Sequence, residues 1–117
     1  MRDLELLREY VLKKEGVTEE YPFDDVTLVF KVKGKMFVLC SLDEDPSSLN
    51  LKCEPELAVE LREKYPAVQP GYHMNKKHWN TVRLDGTISQ KEIFKMIDHS
   101  YEMVVKGLPK RKRADRK

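Results

Sequence analysis

The chain has 117 residues, of which 40% are hydrophobic and 36% charged. That length supports one core and excludes two, and no apolar run is long enough for a membrane-crossing helix. The formal net charge of +2 is unevenly spread: the segment "KRKRADRK" from Lys110 to Lys117 carries +5, which leaves the preceding residues at −3.

In the opening "MRDLELLREYV", Leu4, Leu7 and Val11 share one helical face, Leu6 and Tyr10 widen the stripe, and Gly16 marks a stop. Its acids make it an amphipathic helix and not a secretion signal, so a cytoplasmic location is expected. "VTEEYPFDD" follows as an acidic connection without periodicity. From Val26 the period becomes two: "VTLVFKV" and "KMFVLCS" flank Lys33-Gly34, the mark of a two-residue hairpin. The expected register sets Val32 opposite Lys35, Phe30 opposite Phe37 and Leu28 opposite Leu39, an apolar ladder on one face. The other face then carries Lys31 with Met36, Val29 with Val38, and Thr27 with Cys40.

"LDEDPSS" reads as a loop and "LNLKC" as a short strand with Leu49, Leu51 and Cys53 on one side. Pro55 suits the first turn of a helix, in which Leu57, Leu61 and Tyr65 keep helical spacing until Pro66. Pro70-Gly71 predicts a turn, "KHWNTVRL" a strand, and Asp85-Gly86 another turn. Ser89 with Glu92 forms a capping box ahead of the longest amphipathic segment. There Ile93, Ile97, Tyr101, Val104 and Leu108 make the stripe, Phe94 and Val105 flank it, and Gly107 and Pro109 end it. Helices at both ends of a run of antiparallel hairpins predict an α+β domain over residues 1–109, an antiparallel sheet with the N- and C-terminal helices on one face. A basic tail, 110–117, follows.

Catalytic patterns are not evident. Cys40 and Cys53 sit in apolar strand contexts and read as buried thiols, with no local nucleophile–base motif. His73 and His78 are five apart, which matches neither a helical ligand pair nor a zinc pattern, and His99 reads as a surface residue. The glycines occur singly, so no phosphate-cradling loop is present. The expectation is a protein that is no enzyme, with no cofactor and no metal site.

The stretch "PGYHMNKKHWNTVRLDG" is different. Lys76, Lys77 and His78 adjoin Trp79 and Asn80, combining positive charge for phosphate with a planar ring and an amide for bases. Lys31, Lys33 and Lys35 crowd the hairpin tip, Arg83 lies further along the later strand, and the basic tail adds charge. A structural role for Trp79 as a core anchor competes with this, since tryptophan is buried more often than not.

Three segments, "FKVKGKMFVLCSLDE", "LNLKCEPELAVELREKYPAVQPGYHMNKKHWNTVRLDG" and "MIDHSYEMVVKGLPKRKR", follow in order and resemble the MmcQ/YjbR-like family of small bacterial proteins. The resemblance covers roughly residues 1–113. It implies a CyaY/frataxin-like fold, and a DNA-binding role through a double-wing arrangement of hairpins. It points to Lys52, His73, Asn75, Lys76, Lys77, His78, Trp79 and Asn80 as the characteristic surface. Iron binding by frataxin analogy is disfavoured, because Asp3, Glu5 and Glu9 are diluted by Arg2, Arg8, Lys13 and Lys14 and hard cations want clustered oxygens.

The leading expectation is a DNA-binding module that holds the phosphate backbone with Lys33, Lys35, Lys76 and Lys77, while Trp79 or Asn80 probes a groove. The alternative is an adaptor that takes a protein, a small ligand or a second copy of itself on the mixed face of Val29, Met36 and Val38.

Overall fold

The computed structural model describes residues 2–21, 26–43, 47–71, 75 and 77–107. The elements are α1 (Arg2–Leu12), β1 (Val17–Glu20), β2 (Thr27–Val32), β3 (Lys35–Ser41), β4 (Ser48–Lys52), α2 (Pro55–Lys64), β5 (Val68–Pro70), β6 (Trp79–Arg83) and α3 (Gln90–Lys106). The six strands form one sheet in the order β1-β2-β3-β4-β6-β5, antiparallel throughout. The expected α+β architecture is present, with the two terminal helices on the same face.

That face carries the main core. Leu7 and Val11 of α1 and Ile93, Met96, Ile97, Tyr101, Val104 and Val105 of α3 join Leu28, Phe30, Val32, Phe37, Val38, Cys40, Leu49, Leu51 and Val82 of the sheet. The predicted stripe of α3 is therefore the buried one from Ile93 to Val104, Leu108 lying outside the described residues, and Ser89 caps the helix by accepting the Glu92 N–H at 3.2 Å. Leu6 lies outside the α1 stripe and is exposed. The two outer helices are joined by Tyr10, whose ring stacks on Phe94 with centroids 3.9 Å apart, while its hydroxyl donates to Asp98 at 2.7 Å. Both cysteines are free and buried.

Three sequence expectations need correction. Val17–Glu20 is an edge strand, tied to β2 from Val17↔Val32 to Glu20↔Val29, and its inward positions are only partly buried. Four residues with two acids leave too little apolar alternation to announce a strand. β5 is three residues long and ends in proline, which an edge position tolerates because an outer N–H needs no partner.

The third correction is the hairpin register. Val32↔Lys35 and Lys31↔Met36 hold, but Phe30 then pairs with Val38, Val29 with Leu39 and Leu28 with Cys40. Phe37 is the extra residue of a β-bulge, so Phe37 and Val38 both reach the helix-covered core. Val38 and Cys40 consequently leave the opposite face, where Val29, Leu39 and Trp79 form a separate buried cluster with Met36 against it.

The bulge opens the β3–β4 ladder, whose last pair is Val38↔Leu51. Ser100 of α3, 0% exposed, fills the gap. Its hydroxyl donates to the Phe37 carbonyl at 2.6 Å and accepts the Lys52 N–H at 2.9 Å. One side chain thus relays the bond that the next ladder step would have made directly.

Candidate nucleic-acid interface

The register places the cationic segments relative to one another. β3 begins at Lys35 and β4 ends at Lys52, which pairs with Trp79 at the start of β6. The Lys33-Gly34 turn, Lys52 and the Lys77-His78 segment therefore occupy the same end of the sheet. β3 and β6 are two strand spacings apart, about 10 Å.

Both central residues of the hairpin turn have positive φ, 51° at Lys33 and 84° at Gly34. This is the geometry whose twist suits a two-residue hairpin. Glycine adopts it freely, whereas a lysine there is strained by roughly 1 kcal/mol. Asparagine is the residue that usually fills Lys33's position.

Lys77 is placed by a local turn: Asn75 Oδ1 accepts the Lys77 N–H at 2.9 Å, and the Asn75 carbonyl accepts the His78 N–H at 3.1 Å. The His78 carbonyl then accepts the Cys53 N–H at 2.7 Å, extending the β4–β6 pairing by one step. Lys35 and Lys77 are exposed, while Lys33, Lys52 and His78 are partly so. Among the described residues the ion pairs are Arg8–Glu19, Lys14–Asp98, Lys31–Glu20 and Lys95–Glu92. None of them occupies Lys33, Lys35, Lys52 or Lys77. Glu20, at the end of β1 away from this turn, is engaged by Lys31 at 3.2 Å. His73 and Lys76 lie outside the described residues.

Trp79 and Asn80 have other duties, and the expectation that either probes a groove is corrected. Trp79 is 9% exposed and packs on Val29 and Leu39, so its ring faces are occupied by the protein. Gly71 makes this packing possible: its N–H donates to the Trp79 carbonyl at 2.9 Å, and a Cβ at Gly71 would stand 2.9 Å from Trp79 Cβ. Asn80 is 2% exposed. Its Oδ1 accepts Arg62 Nε–H at 2.7 Å and its Nδ2 donates to the Ala58 carbonyl at 3.3 Å, which fastens α2 to β6.

The family model named YjbR matches residues 12–103. The chain belongs to the YjbR family. It is 36% identical over 107 residues to YjbR of Escherichia coli (strain K12), covering 92% of this chain and 91% of that protein. Against YbdF of Escherichia coli O157:H7 the identity is 41% over 91 residues, 78% of this chain and 75% of the relative. A crystal structure from Deinococcus radiodurans, with the family-model domain DUF419, superposes with a TM-score of 0.90 at 42% identity, covering 96% and 86% of the two chains.

Within this YjbR-family domain the described residues of the "HMNKKHWN" stretch divide into two kinds. Asn75, Trp79 and Asn80 build the scaffold, and Lys77 and His78 present side chains from it. The mixed face expected of an adaptor has no apolar patch among the described residues: Val29 and Leu39 are buried beneath Trp79's cluster, and Val38 faces the helices. The exposed large hydrophobic residues are Leu6, Tyr21, Leu42 and Val59, none of them in that cluster. α2 lies on the helix side of the sheet, with Leu61 against the main core.

His99, expected at the surface, is partly buried. Its Nε2 accepts the Glu54 N–H at 3.1 Å, and burial lowers its pKa below the usual 6.5, with the Glu54 charge opposing the shift and Lys106 adding to it. Burial raises the Cys53 thiol to about 11, so it stays protonated near neutral pH. No group of three or more His, Cys, Asp or Glu side chains among the described residues is placed to hold a metal ion. No described helix is long and apolar enough to cross a membrane.

Proposed function

We propose that the protein is a non-enzymatic DNA-binding module that holds the phosphate backbone through Lys33, Lys35, Lys52 and Lys77, with His78 beside them and Lys76 adjoining in sequence. The observation that carries this reading is the gathering of four lysines, none ion-paired among the described residues, at one end of the sheet. Duplex DNA presents a charge every ~1.7 Å of axis, so lysines carried at one end of the sheet on strands about 10 Å apart, Lys35 on the helix-covered face and Lys52 on the other, reach several phosphates at once. A strained Lys33 supports the same reading, since strain is held where a side chain is required for another purpose. The buried, protonated Cys53 lacks the thiolate that nucleophilic chemistry would need.

The arrangement implies backbone contact without direct base readout, because the two side chains suited to bases are sequestered. Affinity then depends on counterion release. Four phosphate contacts give a slope of log K against log[salt] near −3.6, or about a 150-fold loss between about 50 and 200 mM salt. Fluorescence anisotropy of a labelled duplex over that range measures it. In the Lys35→Ala/Lys77→Ala variant the slope should become shallower by about 1.8. Absence of binding at the lowest salt, or an unchanged slope in the double variant, overturns the proposal.

A further inference from the structure

The helix-covered side of the sheet contains a feature unrelated to the lysines. α2 rests on β5 and β6 while α3 rests on β2, β3 and β4. Between the two helices lies a cavity of about 200 Å³, walled by Leu51, Leu57, Leu61, Val82 and Met96, with Cys53 beside them. Its polar lining is almost entirely committed. Asn80 uses its oxygen on Arg62 and its NH2 on Ala58. Glu92 and Lys95 pair with each other at 3.5 Å. Lys52 lies between two residues that face the cavity, so strand alternation turns its ammonium to the other side. The Cys53 thiol is neutral.

His99 is the exception. A backbone N–H can only donate, so the Glu54 N–H bonded to Nε2 leaves that nitrogen without a proton. The neutral ring must carry its proton on Nδ1, and this N–H has no protein acceptor among the described residues. His99 lines the cavity, which thus combines an apolar interior with one ring N–H unclaimed among the described residues. Its volume exceeds the roughly 150 Å³ that accepts benzene in an engineered apolar cavity.

We infer that the cavity between α2 and α3 binds a small, neutral, planar molecule, an aromatic ring bearing one carbonyl group. The ring lies among Leu57, Leu61 and Met96, and the carbonyl oxygen accepts from His99 Nδ1–H. Neutrality follows from the lining: the apolar interior offers a carboxylate no buried cation, since Lys95 is exposed and already paired to Glu92, so the charge would go uncompensated there. This site stands apart from the proposed DNA surface and does not rest on it.

Benzamide and benzoate are suitable probes, with binding followed on the full chain by ¹⁵N–¹H chemical shifts. Benzamide should saturate with a Kd of about 1 mM or tighter, shifting amides around Leu57, Met96 and His99. Benzoate should bind at least about tenfold more weakly. His99→Phe, which keeps a planar ring but removes the donor, should weaken benzamide about fivefold, and Leu57→Trp should abolish binding by filling the space. Lys35→Ala/Lys77→Ala should leave it unchanged, which separates this site from the DNA reading. No saturable shift with about 10 mM benzamide overturns the inference. So does benzoate binding as tightly as benzamide, or His99→Phe binding as tightly as the native chain. These outcomes decide the matter even where Leu57→Trp fails to fold.

Discussion

Replacing Ser100 with alanine tests how the cationic end of the sheet is held in register. The hydroxyl is 0% exposed and joins the Phe37 carbonyl at 2.6 Å to the Lys52 N–H at 2.9 Å. Removing it leaves two backbone groups without partners where no water reaches. A buried unsatisfied group costs about 1–3 kcal/mol, and the two strands can recover part of this by closing on each other. The expected loss is therefore about 2–4 kcal/mol, a lowering of Tm by about 10 °C for a domain of this size. Urea unfolding gives the stability difference, and an unchanged m-value shows that the folded surface is preserved. Amide exchange at Lys52 should accelerate more than exchange at Asn50, which keeps its place opposite Leu39. A loss below about 0.5 kcal/mol with Lys52 still protected would refute the relay. Register here has a functional consequence, because β3 carries Lys35 and β4 carries Lys52.

Other consequences are equally specific. Lys33→Asn should raise stability by about 0.5–1 kcal/mol by relieving the positive φ, while weakening duplex DNA about eightfold at 0.1 M salt through one lost phosphate contact; thermal unfolding and anisotropy read the two effects separately. Gly71→Ala should cost about 1–3 kcal/mol, since the new methyl meets Trp79 Cβ at 2.9 Å and its carbonyl oxygen at 3.1 Å; tryptophan emission should shift to the red as the ring is displaced. His99 has a folded pKa below 6.5, so the unfolded chain takes up its proton first. Its contribution is intact above about pH 6.5 and is lost as pH falls through the folded value. Stability measured between about pH 7.5 and 5 should therefore decline less in His99→Gln than in the native protein.

The parts legible in the sequence were those with a repeating pattern or a local chemical mark. α3 announced itself through its stripe and the Ser89–Glu92 box, and the hairpin through Lys33-Gly34 between β-rich runs. The register was lost at Phe37, because a bulge adds one residue and inverts every later side chain while leaving the composition unchanged. Ser100 carried a readable signal, a polar residue seven past Ile93 on the buried face of the helix. His99 did as well: Glu92, Met96 and His99 repeat at helical spacing and mark a second, weaker face, the one that lines the cavity. Neither signal names a partner, since Phe37, Lys52 and Glu54 reach them only through the tertiary fold.

The dense motif from His73 to Asn80 illustrates why residue type alone misassigns function. A tryptophan and an asparagine next to lysines have the composition of a nucleic-acid contact, yet strand alternation sends Trp79 and Asn80 to opposite faces of β6, and each meets an occupied surface. Trp79 is held against Val29 and Leu39, Asn80 against α2 through Arg62 and Ala58. What remains outside among the described residues of the motif is the segment at Asn75 and Lys77, where Asn75 folds the chain so that Lys77 is exposed. The same division occurs at the hairpin: Val32 is buried and fixes the strand, while the next residue, Lys33, carries charge in a strained conformation. At both places an anchored residue sets the position and its neighbour presents the cation. Substituting the anchors should therefore reduce DNA affinity only in proportion to the folded fraction lost, whereas substituting the lysines should change the salt slope in a protein that remains folded.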